Sequence, residues 1–291
     1  MAKLSGKVAV ITGGTRGLGL AMAQAFAAEG ATVVVASRSP TSVERAVAML
    51  TAQRARASGL PCDVGDAAQV HALYRHAVET YGQLDIWVNN AGLSAPYGQT
   101  LEVDPEQFVQ TIQTNILGTY YGSIVAMQHF TGQGRGKLIN LLGRGDRQPT
   151  PMQNAYASSK AWIRSFTLAL AQEYKTSGVG VFAFNPGLMP TELLSNLDVI
   201  AGHEEEVQPL KFVMRLWAEP PEVAARKAVW LASSATDGRT GLAVTVLTPA
   251  RLIIGLLREG WRLIRRQPAP VMRLDINPVQ PWQKKRLEIR D

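Results

Sequence analysis

Short apolar runs rich in valine and isoleucine alternate with stretches of helical period along most of the chain. The runs are "KVAVIT" (7–12), "ATVVVAS" (31–37), "LDIWVNN" (84–90), "GKLINLL" (136–142), "GVGVFAFN" (178–185) and "LAVTVL" (242–247). Apolar runs without polar alternation suit strands buried on both faces, and the helices between them supply the cover. The intervening pattern predicts helices near 17–29, 40–53, 66–81, 104–130, 155–176 and 220–234, and a weaker seventh strand near 55–60. Gly30 and Gly82 stop two of the helices, and "EPPEV" opens the last with proline near its first turn. The fold class is α/β: a Rossmann-type doubly wound sheet of about seven parallel strands with helices on both faces. In such folds ligands bind beyond the carboxyl ends of the strands. Residues 1–249 read as one domain, with 191–218, the least regular stretch, as a substrate-covering segment containing short helices.

Residues 250–291 read as a basic amphipathic extension, and they change the charge picture. They carry ten Lys and Arg against four acids, so +6 of the net +7 lies there. The nearly neutral body gives no reason to expect a nucleic-acid partner. A helix over 250–266 places Ile254, Leu257, Trp261 and Ile264 on one face and Arg251, Arg258, Arg262 and Arg265 on the other. It either makes peripheral contact with an anionic membrane surface or packs its apolar face on the body or a second subunit, the commoner fate. "QKKRLEIRD" reads as an exposed end. The N-terminal "MAKLSGKVAVITGG" has too short an apolar run for a signal peptide, and the single Cys62, read as a small core residue, excludes an internal disulfide. Both fit a cytoplasmic protein, and no Cys/His cluster has metal-ligand spacing.

"TGGTRGLG" follows the first strand directly and opens a helix, with glycines at 13, 17 and 19. Small residues let the backbone approach a pyrophosphate while the helix N-terminus offers unpaired N–H groups. At the end of the second strand, where an acid would hold the ribose of NAD, "VVVASRS" supplies Ser37 and Arg38. With Arg16 in the glycine loop, two guanidinium groups suit a 2′-phosphate, which favours NADPH/NADP over NADH.

With "CDV" (62–64), "NNAG" (89–92), "YASSK" (156–160) and "NPGLMPT" (185–191) added in order, the chain resembles the short-chain dehydrogenase/reductases over about residues 5–247. The resemblance implies that Gly13, Thr15, Arg16, Gly17, Leu18 and Gly19 hold the cofactor's phosphates and that Asp63 and Val64 touch its adenine. Asn89, Ala91 and Gly92 would line the cofactor cleft, and Pro186, Gly187, Leu188 and Thr191 would flank the nicotinamide and pyrophosphate. It implies a homodimer or homotetramer, with Tyr156 as the acid/base, Lys160 as its partner on the nicotinamide ribose, and Asn115 as organiser of a proton-relay water chain. Tyr156 and Lys160 are four residues apart on one helix, hence on one face, and an ammonium near a phenol is expected to lower its pKa.

One position departs from the family pattern. Aligning "INLLG" on the family's "Asn-x-Ser-Ser" puts Gly143 on the active-site serine, and no Ser or Thr occurs between 138 and 149. Losing one preorganised donor costs about 10²–10³ in rate. Ser94, Arg144, Gln153 or Asn154 could replace it, with Ser94 preferred because it begins the next cleft loop. Arg144 is otherwise expected to pair with Asp146, with contact to an anionic substrate group as the weaker alternative. The reading is an NADPH-dependent oxidoreductase moving hydride between the cofactor and a carbonyl or alcohol carbon of a small, largely apolar molecule. Leu93, Tyr97, Leu142, Leu188 and Met189 are the pocket candidates. The alternatives are reduction of an imine or conjugated alkene at the same site, and a non-catalytic NADPH-binding sensor or scaffold.

Overall fold

The computed structural model describes residues 2–268 and 273–282, the side chains at 192 and 193 excepted. The body runs β1 (Val8–Thr12), α1 (Gly17–Ala28), β2 (Thr32–Ser37), α2 (Pro40–Ala52), β3 (Ala57–Pro61), α3 (Ala67–Tyr81), β4 (Ile86–Asn89), α4 (Pro105–Ile112), α5 (Gly118–Gln133), β5 (Gly136–Leu141), α6 (Asn154–Glu173) and β6 (Val179–Asn185). It continues through α7 (Glu192–Ser195), β7 (Asn196–Ile200), α8 (Pro209–Trp217), α9 (Pro221–Ala232) and β8 (Leu242–Thr245) into α10 (Pro249–Ile264) and β9 (Asp275–Val279).

Seven strands form one parallel sheet in the order β3-β2-β1-β4-β5-β6-β8. The chain leaves β1 in one direction through β2 and β3 and returns to its other side at β4, which opens a crevice at their carboxyl ends. Both faces are apolar because both are covered. Val33, Val35, Ile86 and Val88 meet Met22 and Phe26 of α1 and Ala225 and Val229 of α9 on one side, while Val34, Trp87 and Val181 meet Leu73 of α3 and Phe130 of α5 on the other. The weak strand at 55–60 is β3. Gly82 ends α3 in the left-handed region at φ 74°, where a glycine carries no Cβ penalty.

The arrangement of the elements differs from the sequence reading in three places. The helix expected over 104–130 is α4, a π-helical turn at Gln113–Leu117, and α5. A π turn inserts a residue without altering hydrophobic composition, so periodicity does not reveal it. Residues 191–218 contain short helices as expected but also the strand β7, which pairs in parallel with β9 of the extension, from Asn196↔Asp275 to Ile200↔Val279. "DINPV" carries a proline and lies about 80 residues from its partner in sequence, so no local signal marks it as a strand. The expectation that α10 packs its apolar face on the body is corrected. Among the described residues its inner face is polar, with Glu259 paired to Arg215 of α8 at 2.7 Å and to Arg262 at 2.8 Å, and the apolar side chains point outward. "QKKRLEIRD" (283–291) lies outside the described residues.

A buried polar network ties the strands below the crevice to the helices. Asn89 Nδ2 donates to Asn140 Oδ1 at 2.9 Å and to Ser123 Oγ at 3.2 Å, Trp87 Nε1 donates to Asn89 Oδ1 at 2.7 Å, and Asn140 Nδ2 donates to Thr167 Oγ1 at 3.0 Å. Every member is satisfied, which is the condition under which buried polar groups specify a single packing. Asn89→Ala would orphan the Trp87 N–H and one Asn140 acceptor contact. Urea denaturation is expected to give a loss of about 1–3 kcal/mol for each group left unsatisfied.

Candidate active site

A cleft of about 970 Å³ runs along the carboxyl ends of the strands, from the β1–α1 loop to α8. Its cofactor end is built for close backbone approach. Gly13 sits at φ +61°, and a Cβ there would lie 2.9 Å from Ala91 Cα of the neighbouring loop. Thr12 Oγ1 accepts from the backbone N–H groups of Asn90 and Ala91 at 3.0 and 3.1 Å, and Asn90 Nδ2 donates back to the Thr12 and Gly13 carbonyls. The two loops are thereby locked together. The first intrahelical bond near the start of α1 is Leu20 N to Arg16 O, which leaves the N–H groups of residues 17–19 directed at the cleft. This small-residue cradle at a helix N-terminus fits a dinucleotide pyrophosphate. Arg16, Ser37 and Arg38 line the same end, with no carboxylate at the tip of β2.

Of the residues singled out in the sequence, the glycine-loop set, Asp63, Val64, Ala91, Gly92, Ser94, Gly143, Tyr156, Lys160, Pro186, Gly187, Leu188 and Thr191 all line this cleft, as do all five pocket candidates. Asn89 does not. It faces the α5 side of the sheet with Trp87, and Asn90 takes the cleft position. The alternation of a strand carries that signal, since 87 and 89 share a face and 90 takes the other. Cys62, also on the cleft, is a buried core thiol that desolvation pushes up to about 12. Among the described residues no group of three or more His, Cys, Asp or Glu could hold a metal ion.

Further along the cleft, α6 carries Tyr156 and Lys160 on one face. Lys160 is buried, its Nζ donating to Leu141 O at the end of β5 at 3.1 Å and lying 5.5 Å from the centre of the Tyr156 ring. Among the described residues the Tyr156 hydroxyl makes no hydrogen bond. Burial lowers Lys160 to about 8. Burial, and then the nearby charge of Asp146, push Tyr156 up to about 12. The expected lowering of the phenol pKa is therefore corrected: the ammonium is held against a carbonyl beneath the ring, and desolvation of the phenolate dominates. At neutral pH this tyrosine is a protonated donor beside a charged lysine.

Gly143 faces that donor directly. A Cβ at this position would overlap the Tyr156 hydroxyl and sit 3.1 Å from its Cζ. The space next to the glycine is filled by the tyrosine itself, so the position lacks room for a side chain as well as lacking a hydroxyl. Asn185 Nδ2 anchors the loop, donating to Gly143 O at 3.3 Å and to Asp146 Oδ1 at 3.2 Å. Asp146 pairs with Arg164 of α6 at 3.4 Å, which corrects the expected pairing with Arg144. The helix behind the loop presents Arg164 to the buried side of Asp146, whereas Arg144 sits on the exposed loop tip. Of the other candidate donors, Ser94 turns its hydroxyl to Ala95 O at 3.0 Å and Asn154 points away to Thr100, while Gln153 and Arg144 line the cleft.

Asn115, in the π turn, is fully buried. Its Oδ1 accepts from Leu93 N at 2.8 Å, and its two amide protons go to Leu93 O and Ser159 Oγ, both at 2.9 Å. The side chain thereby braces the Leu93 loop against α6.

A short chain dehydrogenase family model matches residues 7–199, which hold the glycine loop, the Tyr156–Lys160 pair and the loop after β6. The chain belongs to the short-chain dehydrogenase/reductase family. Glucose 1-dehydrogenase 2 of Bacillus subtilis is 31% identical over 84% of this chain and 94% of its own length. The 3beta-hydroxysteroid dehydrogenase 1 of Eggerthella lenta is 34% identical over 84% and 93%. The crystal structure of 3-ketoacyl-(acyl-carrier-protein) reductase from Brucella melitensis complexed with NADH superposes with a TM-score of 0.75 at 30% identity, covering 84% of this chain and 97% of that one. Probable chlorophyll(ide) b reductase NYC1 of Oryza sativa is 30% identical over 95% of this chain, so that match reaches into the extension, while this chain spans only 57% of that protein. The chain is an oxidoreductase of that family.

Gly143→Ala and Gly143→Ser should behave alike, because both force Tyr156 aside. A displacement of about 1 Å is enough for a loss near 10²-fold in turnover. Steady-state rates of the two variants test this, and a serine variant faster than the alanine variant would restore the importance of a hydroxyl there.

Proposed function

We propose that the protein is an NADPH-dependent reductase of the carbonyl group of a small, largely apolar molecule, working reversibly on the corresponding alcohol. The observation that carries this reading is the Tyr156 hydroxyl, protonated at neutral pH and without a hydrogen-bond partner among the described residues, facing a cleft between the glycine cradle and an apolar wall. Bound nicotinamide would supply the hydride to the substrate carbon. Tyr156 Oη gives its proton to the substrate oxygen as charge develops there, and the Lys160 ammonium offsets the phenolate that results. Leu93, Tyr97, Leu142, Leu188 and Met189, with Leu210, Val213 and Trp217 from the covering segment, exclude water and orient an apolar substrate. Arg16 and Arg38 both line the cleft, and a pair of guanidinium groups suits a 2′-phosphate, which supports the phosphorylated cofactor. The names of the relatives span glucose, a 3β-hydroxysteroid and chlorophyll(ide) b, a range that leaves the substrate to the pocket walls.

We read Gly143 as standing at the family's serine position. Its lack of a hydroxyl favours, as a second reading, substrates that need less oxyanion stabilisation: an imine or a conjugated alkene. The reading includes a cytoplasmic setting and a second copy of the chain as oligomer partner.

A screen of cofactor oxidation over ketones, aldehydes, imines and enones tests both readings. Tyr156→Phe is expected to lower kcat by about 10²–10⁴ while leaving NADPH binding intact. NADPH binding with no turnover on any class, and Tyr156→Phe indistinguishable from the parent, would leave a cofactor-binding protein without catalysis. Arg38→Ala should raise KM for NADPH far more than for NADH, and equal loss for both would remove the phosphate assignment. The Lys160 ammonium exists below its lowered pKa of about 8 and is lost above it. The value of kcat/KM for NADPH should therefore fall as pH rises through about 8, and Lys160→Arg should move that limb to higher pH.

A further inference from the structure

The extension reverses the usual arrangement of an amphipathic helix. The arginine side of α10 faces inward: Arg258 Nη2 donates to Leu216 O at 2.9 Å, and Glu259 bridges Arg215 and Arg262. Gly255 lets the two helices touch, since a Cβ there would lie 2.5 Å from Leu216 O. The other half of the helix, with Ile253, Ile254, Leu256, Leu257, Trp261 and Ile264, is 54–75% exposed. Contiguous apolar surface of this extent on a soluble fold marks an interaction site.

We propose that α10 lies in the plane of an anionic lipid surface, docking the enzyme by its outward apolar face. Charge selects this occupant over a second copy of the chain. The face is bordered by the exposed Arg265 and Arg266, and Arg265 stacks on Trp261 with its guanidinium 4.6 Å from the ring centre. Two such helices packed face to face would bring like charges together, whereas anionic headgroups neutralise them. The helix has 16 residues, about 24 Å at 1.5 Å per residue, and its inner half is committed to α8. Among the described residues no helix is long and apolar enough to cross a membrane, so α10 lies on the surface. Trp217, whose indole donates to Leu252 O at 3.1 Å, also lines the substrate cleft, so the lipid-facing helix is one helix away from the pocket.

The test is flotation of the full chain with phosphatidylcholine vesicles, with and without about 30% phosphatidylserine. The parent protein should float with the anionic vesicles at least tenfold more than with neutral ones, and less at high salt. Leu257→Glu with Trp261→Glu should abolish flotation, and Arg265→Glu with Arg266→Glu should remove the preference for phosphatidylserine. The substituted positions are exposed, and unchanged thermal unfolding would confirm that the variants fold. No flotation of the parent, or equal flotation of the Leu257→Glu/Trp261→Glu variant, would overturn the proposal. So would a parent that fails to float and whose oligomer is split by that variant in light scattering, an outcome that assigns the face to a second copy. These readouts need no turnover, so they stand apart from the substrate and cofactor reading.

Discussion

The buried ammonium of Lys160 is the constraint on which the candidate site is built. One carbonyl, Leu141 O at the end of β5, receives its proton at 3.1 Å, and the Tyr156 ring lies above it. That bond fixes α6 against the last turn of the central sheet, and the ring then fills the space beside Gly143. A charge withdrawn from water is tolerated only where it is partnered and useful. Here the withdrawal lowers the lysine pKa and raises that of the phenol, so the pair is poised as charged lysine and neutral tyrosine.

Rigidity around that pair comes from layers behind it. The Trp87–Asn89–Asn140–Thr167 chain stitches β4, β5 and α6 below the cleft. Asn185 and Arg164 hold Asp146 and with it the Gly143 loop. Asn115 braces the Leu93 loop on the opposite wall. None of these side chains has to touch a reacting atom to matter, because orientation within a fraction of an ångström is what a reacting geometry demands.

The extension extends the same logic to the pocket's outer wall. β9 pairs with β7, and α10 is clamped to α8 by the Arg215–Glu259–Arg262 cluster, so residues after 249 hold both parts of the 191–218 segment. The motifs of this wall, unlike the glycine loop or the Tyr156–Lys160 pair, were hard to read in advance. A strand such as "DINPV" acquires its identity from its partner rather than from its own residues. The helix α10 was legible, but which of its faces would meet the body was not, since that depended on Glu259 finding an arginine on another helix.

By itself the sequence determined the sheet, because uninterrupted Val/Ile runs have no stable place except between two layers of helices. It also determined the glycine cradle and the tyrosine–lysine pair, because local spacing alone sets which groups share a turn or a helix face. Tertiary structure decided the rest. Asp146 pairs with Arg164 rather than Arg144 because α6 packs behind its loop. The room at Gly143 is taken by a hydroxyl thirteen residues further along the chain. Each of these depends on the approach of groups from separate elements, and pairwise distance across a packed interior is the quantity a linear pattern does not encode.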